Sequence, residues 1–221
     1  MKNWIKGYLT FASLQYRLLV YLVLPLVITG ATVFLRYTIG GMGIFFPVVM
    51  MVGIEAMADF FLFGGLASKE SCGIEYLKTS HRGNALFCNT IWIDAVRRGI
   101  WMLLVSTTYM LIESAIAAQQ GVAAIVSPLE MLVITLIGYT ITELCITVAR
   151  FFSLIQWYML FMYAAEVVLV IVYLALYLNG LVAHGLTLGI AALAAVLSTV
   201  LSVRILLWRW KGSYYDEKPE K

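Results

Sequence analysis

Five carboxylic acids interrupt the apolar blocks of this sequence: Glu55, Asp59, Glu113, Glu143 and Glu166. An ionised side chain at the centre of a bilayer costs about 2.5–3.5 kcal/mol on insertion scales, so each acid is expected to face protein or water, or to keep its proton. Glu55 and Asp59 stand four residues apart and share one helical face, where one carboxyl can hold the proton that the other loses. Such a pair suits the coupling site of a proton-driven carrier. It also suits two acids bonded to Ser, Thr or Tyr hydroxyls of neighbouring helices. Together the five acids mark a candidate translocation path or a set of interhelical hydrogen bonds.

Catalytic chemistry of the chain's own is not expected. His81 and His184 have no second ligand at metal spacing, and Cys72, Cys88 and Cys145 form neither a C-x-x-C nor a disulfide framework. There is no H-E-x-x-H, no G-x-S-x-G and no G-x-x-x-x-G-K-[ST]. The run GGLASKE near Gly64 lacks the glycine directly before its lysine and is not a phosphate loop. A formal charge of +3 calls for no nucleic-acid partner.

The elements that position the acids are set by composition. The chain is 62% hydrophobic and 12% charged, with a mean hydropathy of +0.93, outside the range of soluble domains. The expected fold is an all-α integral membrane protein. Six segments are long enough to cross about 30 Å of hydrocarbon: Leu18 to Leu35, Gly43 to Leu66, Ile100 to Ala118, Pro128 to Ala149, Ile155 to Tyr177 and Leu181 to Leu207. The first is too long for the apolar core of a signal peptide and is read as a retained span. The chain must reverse between the fourth and fifth, and Arg150 marks the interface there.

Six spans place every Lys and Arg except Arg36 on one side of the membrane. Basic flanks are retained in the cytosol, so both termini and the loop between spans two and three are expected there. Residues 1–17 form an expected interfacial segment: Trp4, Ile5, Tyr8, Phe11 and Ala12 recur at helical spacing opposite Lys2, Asn3, Lys6 and Ser13. Simple anchoring by aromatic and basic residues is the alternative. Residues 18–207 are the six-helix domain, 67–99 its cytosolic coupling region and 208–221 a cytosolic tail. In the last span Gly185, Gly189, Ala192, Ala195, Ser198 and Ser202 make a small-residue face for close helix packing, within the chain or across a dimer.

The stretch Lys69 to Trp92 is the only long polar interruption between two hydrophobic blocks. Ser71 to Arg82 can form a short helix, with Gly83 suited to the left-handed position that ends it and Asn84 to cap a second helix. In that second helix Thr90, Asp94, Arg97 and Arg98 form a polar stripe opposite Phe87, Cys88, Ile91, Trp92 and Ala95, and Asp94 pairs with Arg98 at i,i+4. This helix is expected to run along the cytosolic interface into the third span.

The run Lys69-Glu70-Ser71-Cys72-Gly73-Ile74-Glu75-Tyr76-Leu77-Lys78-Thr79-Ser80 resembles the segment after the second span of ABC-2-type transporter permeases. His81 stands where that family usually has proline, and the last external connection is short for the re-entrant helices many members carry. The resemblance implies that Gly73, Ile74, Glu75, Tyr76, Leu77, Lys78, Thr79, Ser80 and His81 form a coupling helix docking on a separate ATPase. It implies ATP and magnesium on that partner, no cofactor on this chain, a second permease subunit and a bacterial cytoplasmic membrane. Among small permeases of this type are exporters of amphipathic peptides, including phenol-soluble modulins and lantibiotics. Three readings are open: a permease subunit of an ATP-driven exporter, a proton-coupled carrier using Glu55 and Asp59 with Glu143 or Glu166, or a non-transport assembly or immunity protein.

Overall fold

The computed structural model describes residues 5, 8–9, 12, 14–39, 46–60, 62, 81–121, 126–149 and 155–212. Among these, every regular element is helical and none is a strand. A helix pairs its backbone groups within one segment, the solution an apolar solvent imposes on a chain this hydrophobic. Helix α1 (Leu14–Leu18), a π-helical turn (Leu19–Val23) and α2 (Leu24–Ile39) run as one rod. Beyond it come α3 (Phe46–Asp59), α4 (His81–Gln120), α5 (Pro128–Ala149), α6 (Ile155–Leu178) and α7 (Gly185–Gly212).

Five helices are long and apolar enough to cross a membrane: Leu14–Thr38, Ala85–Gln120, Pro128–Ala149, Met159–Leu178 and Gly185–Trp208. The expected second span, Gly43 to Leu66, contains α3, whose 14 residues cover about 21 Å, short of a full crossing. The described residues therefore supply five spanning candidates and a shorter, largely buried sixth helix.

Two local expectations are corrected. Gly83 does not end a helix: α4 passes through it and through Asn84 without a break. The second interfacial helix and the third span are consequently one 40-residue helix, about 60 Å long and twice the hydrocarbon thickness. The reason is energetic. A single glycine inside a helix costs only about 1 kcal/mol relative to alanine; Gly83 is buried, and Phe87, Ile91 and Ala95, at successive steps of four residues along the same helix, pack with Tyr8, Ala12, Val203 and Leu206. The first rod likewise begins at Leu14 and crosses the expected boundary at Arg17 unbroken. Of the interfacial segment's apolar positions, Tyr8 and Ala12 are buried and Ile5 is exposed.

The core lies between α3, α4 and α5, where Val48, Met51, Val52, Met102, Val105, Ile134 and, from α6, Leu169 meet. Gly138 sets the approach of α3 to α5, because a Cβ there would collide with Val48 Cγ1. Helices α4 and α5 run antiparallel, with Thr135 Oγ1 donating to Ser106 Oγ at 2.8 Å. At the start of α5, Ser127 and Glu130 satisfy each other's backbone N–H groups, Ser127 N to Glu130 Oε2 at 2.8 Å and Glu130 N to Ser127 Oγ at 3.2 Å, with Pro128 at the first helical position. Helix α6 ends on Gly180 at φ +65°, with the N–H groups of Leu181 and Gly180 donating to the carbonyls of Leu176 and Tyr177. This tight turn returns the chain directly into α7.

Of the small-residue face on α7, Ala195, Ser198 and Ser202 are buried within the chain. Ala192 is exposed, and Gly185 and Gly189 face open space. Close packing thus uses the second half of that face only.

Candidate functional site

The ends of α3 and α5 and the first half of α4 meet in one place, and each brings charge. Arg97 reaches Glu55 with both terminal guanidinium nitrogens, Nη1 to Oε1 at 2.9 Å and Nη2 to Oε2 at 2.6 Å, while its Nε donates to Asp94 Oδ1 at 3.0 Å. Arg98 donates through Nη2 to Asp94 Oδ2 at 2.7 Å and Asp59 Oδ1 at 3.3 Å, and through Nη1 to Glu143 Oε1. Its Nε lies 3.6 Å from Glu55 Oε2. All six side chains are buried, and Arg98 is only 1% exposed.

A buried charge without a partner is costly, whereas a bidentate guanidinium–carboxylate pair satisfies both its charge and its hydrogen-bonding directions. Arginine is the cation suited to this role, because its planar fork donates in several directions at once. Four carboxyl groups face two guanidinium groups here. Charge balance can draw on up to two further positive charges, from protons, ions or residues outside the described set.

The network is insulated on its flanks. Tyr21 holds its ring 5.8 Å from Arg97 Cζ and donates its hydroxyl to Tyr8 at 2.7 Å. Burial pushes the pKa of the Tyr8 phenol well above its ordinary value, so it stays a neutral partner. Trp101 Nε1 donates to the Val20 carbonyl, in the π-helical turn, at 2.9 Å. The first rod is thereby tied to α4 beside the network.

At the other end of α4, Arg36 Nε donates to Glu113 Oε2 at 2.6 Å, and both side chains are largely buried. Among the described residues, Glu113 Oε1 and the Tyr109 hydroxyl have no hydrogen-bond partner. Arg98 and Glu113 are fifteen positions apart on one helix, about 22 Å along its axis.

The five acids read as a path therefore separate into three places. Glu55, Asp59 and Glu143 share the network, Glu113 joins Arg36, and Glu166 faces a groove between the first rod, α3 and α6. Glu55 and Asp59 are engaged by arginines rather than by each other. Coupling-segment residues Gly73, Ile74, Glu75, Tyr76, Leu77, Lys78, Thr79 and Ser80 lie outside the described residues, and His81 is the first residue of α4.

Sequence reasoning missed that Arg97 and Arg98 are the partners of the intramembrane acids. Charge counting groups them with the cytosolic residues, and the helical pattern sets Asp94, Arg97 and Arg98 on the polar stripe of an interfacial helix; all three are buried. One signal was present. No basic residue lies inside the expected spans that carry the five acids, and Arg97 and Arg98 stand immediately before the third.

Among the described residues, no group of three or more His, Cys, Asp or Glu is arranged to hold a metal ion. Comparison of the chain with protein-family models, curated proteins and solved structures gives no match.

Proposed function

We propose that the chain is the membrane-spanning permease subunit of an ATP-driven exporter of ABC-2 type, moving amphipathic peptides or other hydrophobic compounds. In this reading it has six spans in a bacterial cytoplasmic membrane, with both termini and the coupling segment ahead of α4 cytosolic. It pairs with a second permease subunit, and separate ATPases dock on Gly73 to His81.

The observation that carries the reading is the continuity of α4. A helix beginning at His81, directly after the segment resembling a coupling helix, runs into the bundle and is bound to α3 and α5 by Arg97 and Arg98. Force applied at its first turn reaches three helices without a hinge between. Rigid-body transmission of that kind is what a subunit driven from outside the bilayer requires. The proton-coupled alternative gains no support from Glu55 and Asp59, since both are held by guanidinium groups.

The test is co-expression of the chain with the products of its neighbouring genes and co-purification in detergent, scored for a Walker-motif ATPase. A stable complex is expected, lost on Tyr76→Asp with Leu77→Asp while the variant keeps its thermal stability. A chain that binds no ATPase, or that keeps its ATPase after both substitutions, contradicts the proposal.

A further inference from the structure

Glu55, Asp59, Glu113 and Glu143 each meet an arginine. Glu166 is the exception: among the described residues it makes no hydrogen bond or ion pair. It lies eleven residues into α6, about 16 Å from the start of that helix, and within the stretch Met159–Leu178 that is apolar enough to cross a membrane. An acid without a partner inside a span is costly to ionise unless a cation joins it, which makes Glu166 a candidate binding group.

The carboxylate opens on a groove of about 880 Å³ between the first rod, α3 and α6, within the range of about 300–1,000 Å³ typical of sites for small organic ligands. Its walls include Met50, Met57 and Met162, whose flexible, polarisable side chains adapt to apolar ligands of different shape. Tyr16 and Tyr163 add aromatic rings, the complement of a cation in an apolar setting. Gly53 leaves room for the carboxylate, because a Cβ there would stand 2.9 Å from Glu166 Oε1 and 3.2 Å from Met162 Sδ and would push both aside. The groove uses the face of α3 carrying Gly53, Met57 and Ala58, while Glu55 and Asp59 turn to the arginines.

We infer that this groove binds a lipophilic monocation, its apolar body against the methionines and its positive charge at Glu166. The inference deepens the permease reading by naming its substrate class, and it rests on that reading for the transport step. A neutral lipid chain would fill the groove equally well without a carboxylate. The charge is what selects a cation.

The experiment measures equilibrium dialysis of tetraphenylphosphonium against the full chain in phospholipid nanodiscs, with empty nanodiscs as baseline. Saturable binding is expected, weakened at least about tenfold by Glu166→Gln, and tetraphenylborate, of the same size and opposite charge, should show no saturable component. Gly53→Val, which crowds the carboxylate without removing charge, should also weaken binding. No saturable phosphonium binding, equal affinity in wild type and Glu166→Gln, or equal uptake of cation and anion overturns the inference. Because no ATPase is needed, the two readings fail separately. Lost docking with intact cation binding counts against the permease alone, and intact docking without cation binding against the groove alone.

Discussion

The two ends of α4 solve the problem of buried charge differently. At one end, Arg97 and Arg98 are shared among Glu55, Asp59, Asp94 and Glu143, so three helices are fastened at one point. At the other, Arg36 holds Glu113 alone and the first rod is tied to α4 by a single ion pair. A network resists separation because moving any helix strands several charges at once, whereas one pair can part at the expense of one. The network end is accordingly the rigid one, and the Arg36 end is where helices can move apart.

The strongest way to break the contrast is Arg98→Met. It leaves Asp59 and Glu143 without their cation and should destabilise the bundle by about 3–5 kcal/mol, read as a loss of unfolding free energy in bicelles. Next is Gly138→Ala. Its Cβ would run into Val48 Cγ1, push α3 from α5 and cost about 1–3 kcal/mol by overpacking; a thermal scan in detergent reads it. Arg36→Met removes one pair and should cost only about 1–2 kcal/mol. It should raise hydrogen exchange near Tyr109 and Glu113 without changing exchange near Asp94. The smallest is Ser127→Ala, which deletes one half of the reciprocal cap on α5 at the same end. It should lower stability by about 1 kcal/mol and fray only the first turn in amide exchange.

Much of the helical frame was legible because its signals are local. Pro128 opens α5, Ala149 closes it one residue before Arg150, and the Asn179-Gly180 turn separates α6 from α7. The charge network was not legible, because its bonds join residues 42, 39 and 45 positions apart and no periodicity encodes such a pairing. Counting Arg97 and Arg98 as markers of membrane side obscured their other role as counter-ions. Gly83 misled for the opposite reason. Its local preference for a helix end is weak, and the packing of the helix that continues from it through Phe87, Ile91 and Ala95 outweighs it. The separateness of Glu166 appears only once Glu55, Asp59, Glu113 and Glu143 are seen with their arginines.

The central claim is that the buried network fixes α4 to α3, and the most direct measurement is a double-mutant cycle on Arg97 and Glu55. Unfolding free energies of wild type, Arg97→Met, Glu55→Met and the double variant would be measured by steric trapping in bicelles. A coupling energy above about 2 kcal/mol is expected, with the double variant more stable than the sum of the single losses implies. Additivity within about 0.5 kcal/mol would contradict it.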